Sequence, residues 1–237
     1  MSNLLDTMDL LLAPGATDTA SIYERAAPDY ARFRELWLSL AGRECEAEML
    51  EVLVSILHPD FDVLDAGCGT GALSRKLVAI EPDARLTMLD LTPAMLEQAA
   101  DVPGEHIQGD VMALPFEDES FDLVTSAWCI ETVPDPRRAV AEFLRVLRPD
   151  GFVLYTFCSL PDGFVSRAGT ALLRAAVERG FAGRFLDRKE APTHDCDRSR
   201  ILRFRHGLTT LVLLRKCCSV TPDGLPISMS DVSPTGL

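Results

Sequence analysis

A chain of 237 residues, 47% of them hydrophobic and 25% charged, can bury a sizeable core, and one domain is the natural count. Its formal net charge of −13 argues against general binding to nucleic-acid backbone or anionic lipid, and no apolar run approaches the length of a membrane span. Seven cysteines without a Cys-x-x-Cys pair read as thiols of a reducing cytoplasm, and Met1 to Leu12, with Asp6 and Asp9 but no Lys or Arg, lack the pattern of a secretory signal.

Residues 1–17 show no periodicity and read as a loose lead-in. From Asp18, the stretch Thr19 to Tyr30 is expected to be a short helix interrupted before Pro28, with Tyr23 and Tyr30 flanking Ala26-Ala27-Pro28. Arg43 to Leu57 places Met49, Val52, Leu53 and Ile56 on one face of an amphipathic helix. Phe61 to Leu64 is an apolar run suited to a buried strand. It stops at Asp65, passes through Ala66-Gly67-Cys68-Gly69-Thr70-Gly71, and continues as a helix from Ala72 to Ile80 that Pro82 ends.

Arg85 to Asp90 is a second strand, followed by a helix that opens on Thr92-Pro93 with Thr as cap and Pro in the first turn. His106 to Asp110 is a short third strand and Phe121 to Ser126 a fourth. A helix from Pro136 to Leu147 leads through the turn Arg148-Pro149-Asp150-Gly151 to a fifth strand over Gly151 to Phe157. Beyond Cys158 come a helix over Val165 to Arg179 and a loop over Gly180 to Pro192. Two strands follow, Asp195 to Phe204 and Thr209 to Cys217, around His206-Gly207. Strands alternating with helices indicate a doubly wound α/β sheet that binds ligands at the strand carboxyl ends. The expected organisation is a helical cover over 1–59, a sheet domain over 60–220 and a mobile tail over 221–237.

Glycines at 67, 69 and 71 let backbone approach a ligand closely, and the helix opening near Gly71 offers it unpaired N–H groups. Gly67-x-Gly69-x-x-Ala72 with Asp90 fits a dinucleotide fingerprint. Asp65, however, sits two residues before the first glycine and would repel a pyrophosphate. Asp-Ala-Gly-Cys-Gly-Thr-Gly closely resembles the cofactor motif of the class I S-adenosylmethionine (SAM) methyltransferases, whose cofactor carries an ammonium group and no phosphate. The resemblance covers roughly residues 60 to 157, with looser similarity at Tyr23 to Tyr30 and His206 to Lys216.

The resemblance implies a Rossmann-like, mostly parallel seven-stranded sheet with an antiparallel pair of strands at one edge. It also assigns roles to three acids at successive strand ends. Asp65 and the backbone around Gly67 would hold the methionine end of SAM, and Asp90 both ribose hydroxyls. Asp110 would take the adenine amino group, beside the backbone N–H of Val111. Ala66, Cys68, Gly69, Gly71, Leu91, Met95 and Ser126 complete the expected cofactor contacts.

The loop from Ser126 to Pro136 would border the methionine moiety and face the acceptor; the His that many relatives carry near Glu131 and Thr132 is absent here. Trp128 either offers a π-face to the sulfonium, worth roughly 0.5–2 kcal/mol, or fills the core. Tyr23 and Tyr30 either pack their segment down or close as a lid over the cofactor. Glu131 and His194 are the candidate bases by type, and no metal constellation is present.

The implied activity is methyl transfer to a small-molecule acceptor, of the ubiquinone-biosynthesis-like group, with S-adenosylhomocysteine (SAH) as product. The alternatives are a non-catalytic SAM-binding regulator and, with less to support it, an NAD-dependent oxidoreductase. No Asn/Asp-Pro-Pro-Tyr sequence follows strand four, which weighs against DNA or amide methylation. Residues 184 to 216 hold nine Lys/Arg and four acids. That excess protects an exposed edge pair or attracts an anionic acceptor.

Overall fold

The computed structural model describes residues 18–181, 183–187 and 199–216. The expected lead-in, part of the loop to Pro192, His194 and the tail over 221–237 lie outside the described residues. Seven strands form one sheet in the order β3-β2-β1-β4-β5-β7-β6. They are β1 (Asp62–Ala66), β2 (Arg85–Asp90), β3 (Glu105–Gln108), β4 (Phe121–Ala127), β5 (Leu147–Cys158), β6 (Ser199–Phe204) and β7 (Thr209–Arg215). The pairs among β1 to β5 are parallel, whereas β7 runs antiparallel to both β5 and β6. The chain winds outward from β1 to β3 and then returns to β4, so the strand order reverses between β1 and β4. A crevice at their carboxyl ends is the natural ligand site of such a sheet.

Strand alternation sets the layers. Val63, Met88, Leu123 and Leu154 point to one face, and their neighbours Leu64, Leu89, Val124 and Tyr155 to the other. The first face is covered by α3 (Arg43–Ile56), α4 (Ala72–Ile80) and Val177 of α8 (Ala171–Phe181). The second is covered chiefly by α6 (Pro136–Val146), through Ala139, Val140 and Phe143. Cys45, Met49 and Leu53 of α3 share a single hydrophobic cluster with Val63, Leu86 and Leu123, so the N-terminal helices are seated on the sheet's own core.

Local chemistry explains the helix ends. Asp18 caps α1 (Thr19–Ala26) by accepting the Ser21 N–H at 3.0 Å. Asp135 caps α6 by accepting from Arg137 and Arg138, with Pro136 in the first turn. α5 (Pro93–Gln98) opens after Thr92.

Several boundaries differ from the sequence expectations. No element was expected between Tyr30 and Arg43, yet α2 (Tyr30–Trp37) and a π-helical turn (Leu38–Gly42) join α1 to α3. The charges of Arg32, Arg34 and Glu35 mask the apolar face of Phe33, Trp37 and Ala41, and the wide turn shifts its register. β3 stops at Gln108, because Asp110 turns back to accept the Met112 N–H at 2.8 Å. The expected turn Arg148 to Gly151 is an irregularity inside β5, with Asp150 at φ 65 and pairing that jumps between Phe121↔Leu147 and Leu123↔Phe152. One expected helix over Val165 to Arg179 is two, α7 (Phe164–Gly169) and α8, broken at Thr170.

The loop from β3 to β4 is tied down by side chains of α6: Arg138 donates to the Met112 carbonyl and Glu142 accepts the Leu114 N–H, but Arg145 makes the most hydrogen bonds. Arg145 of α6 donates to the carbonyls of Phe116 at 2.8 Å and Leu114 at 3.0 Å, and also pairs with Asp118 and Glu142. Arg145→Ala is expected to cost about 1–2 kcal/mol in denaturant unfolding, discounting for partial exposure. A loss below about half a kcal/mol would show that the loop is held without Arg145.

Candidate active site

At the switch point lies a cleft of about 850 Å3, part of it open to solvent. Its floor is the turn after β1. The N–H groups of Gly67 and Cys68 both donate to the Leu89 carbonyl, at 2.7 and 3.0 Å, which fixes the turn against β2. Gly67 and Gly69 have φ of 73 and 54. A Cβ on Gly67 would stand 2.3 Å from Cys129 Sγ, whereas one on Gly69 would meet nothing nearer than Tyr30 Cε1 at 3.8 Å and would occupy the cleft itself. Packing therefore demands glycine at 67, and ligand space together with conformation favours it at 69.

Asp65, Asp90 and Asp110, which follow the first three strands or end them, converge here. Asp65 is buried at the end of β1, with Ser74 Oγ donating to Oδ2 at 2.5 Å and Thr125 Oγ1 to Oδ1 at 3.2 Å. Burial pushes its carboxyl up to about 6 against those two hydrogen bonds. Asp90, half-buried, accepts the Gly69 N–H on Oδ2 at 2.9 Å and the Thr92 N–H and hydroxyl on Oδ1, both at 3.0 Å. Burial raises its pKa as well. Asp110 and Val111 border the far end, with Leu91 and Met95 between.

The opposite wall is aromatic. Tyr23 of α1 and Tyr30 of α2 line the cleft, their rings edge to face at 5.9 Å although the helix breaks between them. α1 is held across the cleft by Thr19 Oγ1, which donates to the Thr132 carbonyl at 3.1 Å. Trp128 also lines the cleft, in a left-handed backbone conformation (φ 57) fixed by its N–H donating to the carbonyl and hydroxyl of Thr156. Its ring belongs to the hydrophobic cluster too, so the residue fills the core and borders the cleft at once. Glu131 is buried beside the cleft rather than in its lining. Its Oε1 accepts the Cys158 N–H at 3.1 Å, and burial pushes the carboxyl up to about 7.

Other expected residues stand behind this surface. Ala66 is buried and its carbonyl accepts from Ser126 Oγ at 2.8 Å, while Gly71 leads into α4 with φ 75. His194 lies outside the described residues. In the basic stretch, Arg200, Arg203, Arg205, Arg215 and Lys216 each pair with an acid, and none lines the cleft. Arg34 and Thr132 line it without having been expected. Arg34, four residues past Tyr30, was accessible through helical spacing; Thr132 was not.

A carboxylate-lined crevice at the switch point of an open α/β sheet, with glycine turn and helix beyond, defines a nucleoside-cofactor-binding protein that disfavours phosphate. The model of the methyltransferase domain family matches residues 64–155. The malonyl-[acyl-carrier protein] O-methyltransferase of Salmonella typhimurium is 36% identical over 193 residues, covering 80% of this chain and 71% of that protein. The demethylmenaquinone methyltransferase of Lactobacillus johnsonii is 32% identical over 161 residues, covering 64% and 65%. A SAM-dependent methyltransferase structure from Thermotoga maritima shares the fold at a TM-score of 0.62 and 20% identity, over 84% of this chain and 99% of that one. This chain belongs to the class I SAM-dependent methyltransferases. It spans 59% of the length of another relative, the malonyl-[acyl-carrier protein] O-methyltransferase of Serratia marcescens.

The residues fit SAM. Gly69 leaves cleft space that a Cβ would fill, and Asp65 is a buried carboxylate whose two hydroxyl hydrogen bonds leave burial, which raises its pKa, only in part offset; its charge wants further compensation. A cationic ligand supplies that compensation, and a pyrophosphate would worsen it. A ligand ammonium held by Asp65 would require the ionised form, and affinity would then be lost as pH falls through about 6. Titration calorimetry should find SAH about tenfold weaker near pH 5 than near pH 7, with Asp90 acting in the same direction. Asp65→Asn should bind weakly with a flatter profile. A wild-type affinity flat across this range would remove Asp65 from the ligand's charge balance.

Proposed function

We propose that this protein is a cytoplasmic enzyme that transfers the methyl group of SAM to a small-molecule acceptor, leaving SAH. The observation that carries this reading is the convergence of Asp65, Asp90 and the Asp110-Val111 turn on one side of a cleft closed by Tyr23, Tyr30 and Trp128. Bound SAM supplies an electrophilic methyl carbon on a sulfonium and a neutral thioether leaving group. The chain's task is then to position and to exclude water.

Asp65 and the glycine-turn backbone would hold the amino-acid end. Asp90, prepositioned by Gly69 and Thr92, would offer its remaining lone pairs to the ribose hydroxyls. Asp110 and Val111 would border the adenine. Trp128, beside the turn, presents a π system to positive charge. Glu131, with a pKa near neutrality, is suited to take a proton from an acceptor. The relatives are named for different acceptors, a malonyl group on a carrier protein and demethylmenaquinone, so family alone does not choose one.

Calorimetry should show SAH binding and no saturable NAD binding; the converse would sink this reading. Asp90→Ala should keep the fold and weaken SAH about tenfold, roughly 1.4 kcal/mol. An unchanged dissociation constant in the folded variant would exclude Asp90 from the site.

α1 and the start of α2 support a lid. The helix crosses the cleft, tied by the Thr19 bond and a 3.5 Å contact from the Ala94 N–H to Glu24, while Tyr23 and Tyr30 face inward. Removing residues 1–31 should leave a folded protein without turnover, and SAH should protect the full-length N-terminal region from protease. Full activity after truncation, or equal cleavage with and without SAH, would exclude the lid.

A further inference from the structure

Beside the cleft lies a second cavity of about 420 Å3. Tyr23, Tyr30, Arg34, Trp128 and Thr132 face both spaces, so the two adjoin along one wall. The second cavity adds Phe33, Trp37, Cys158 and Val177, and it reaches Glu131, which the first does not. Five of its eleven lining residues are aromatic. Trp37 meets Trp128 edge to face, with centroids 5.7 Å apart at 82°.

Two of the polar atoms on its lining residues, Glu131 Oε2 and Trp128 Nε1, are buried and have no hydrogen-bond partner among the described residues. Buried polar atoms are ordinarily satisfied, so an acceptor and a donor left open on the residues of one cavity point to a ligand that answers them. The charge balance narrows that ligand further. Arg34, the cation on the wall, is committed to Glu46 at 2.6 Å, and Glu131 contributes a carboxylate of its own. The Glu131 carboxylate opposes an anionic ligand there. A flat, neutral ring with an O–H donor finds both aromatic surface and an open carboxylate oxygen.

We propose that this second cavity is the acceptor pocket and takes a neutral hydroxyarene, a phenol of one or two rings, whose O–H is donated to Glu131 Oε2. This rests on the methyl-transfer reading given above. On transfer the O–H bond breaks and its proton passes to Glu131. The oxygen gains the methyl carbon as the carbon–sulfur bond breaks, and that bonding pair stays on sulfur. The Trp128 N–H favours rings with an oxygen acceptor on the same side.

Trp37 and Trp128 are the chain's two tryptophans and both line the cavity, so intrinsic fluorescence reports occupancy without turnover. Phenol and 2-naphthol should quench it saturably, with and without SAH. Their methyl ethers, lacking the donor, and benzoate, which is anionic, should bind about tenfold more weakly or worse. Glu131→Gln should leave SAH affinity unchanged and lower methylation of the preferred phenol about a hundredfold. Val177→Phe, which fills the pocket from α8, should weaken phenol quenching about tenfold with SAH binding intact, and it serves equally should Glu131→Gln fail to fold. Ethers or benzoate binding as tightly as phenols, or a folded Val177→Phe that quenches like the wild type, would overturn the proposal. SAH binding without phenol binding overturns the pocket and spares the methyl-transfer reading; phenol binding without SAH binding does the reverse.

Discussion

Two backbone hydrogen bonds, from the N–H groups of Gly67 and Cys68 to the single carbonyl of Leu89, fix how β1 ends. They bend the chain back over β2 while the parallel register Asp65↔Met88 and Ala66↔Leu89 is still running. From that bend the glycine turn reaches Asp90, whose Oδ2 takes the Gly69 N–H, and Asp90 in turn orders Thr92 at the start of α5. A side chain at Gly67 would strike Cys129 Sγ and push the loop after β4 away from the turn. Floor and wall of the cleft are therefore one packed unit, and neither can shift without the other.

The site is built against stability. Asp65 and Glu131 hold their protons more tightly in the folded chain, at about 6 and about 7, chiefly because burial penalises their charge. The folded state thus gains most below the ordinary carboxylate range and loses that advantage as pH rises through these values. The loss is on the order of 3 kcal/mol for each group. At neutral pH the chain carries this strain in the absence of ligand, and a ligand that brings a cation to Asp65 or a hydrogen-bond donor to Glu131 relieves it. Such spending of stability at a cleft is characteristic of functional residues.

Much of this architecture was legible because punctuation and period agree. Glycine turns and strand-end acids mark β1 and β2, and alternating apolar residues mark their faces, so the sheet followed from local rules. Asp65 and Asp90 were identifiable because each ends an apolar strand pattern, and Asp110 because it follows a short third strand; parallel topology then brings such ends together. α2 was missed because charged residues interleave its apolar face and a π-helical turn breaks the 3.6-residue period after Trp37. The second cavity could not be read at all. Its walls come from positions as distant as Tyr23, Trp128, Cys158 and Val177, which only tertiary packing assembles. Glu131 could be nominated by residue type, but its burial, which gives it a near-neutral pKa, is a property of that assembly.

The shared wall has a consequence for the order of events. Tyr23, Tyr30 and Trp128 border both cavities, so whatever occupies one sets the rings that the other meets. Trp128 has little freedom to adapt, since its backbone is held in the left-handed region by Thr156 and its ring is wedged against Trp37. Tyr23 and Tyr30 sit on helices joined by a short turn and crossed to the far rim by the Thr19 bond, so adaptation falls to them. A cofactor that settles these two rings removes part of the ordering cost that an acceptor would otherwise meet on entering. Linkage would make such an effect reciprocal: each ligand would tighten the other by the same factor, through side chains that border both cavities.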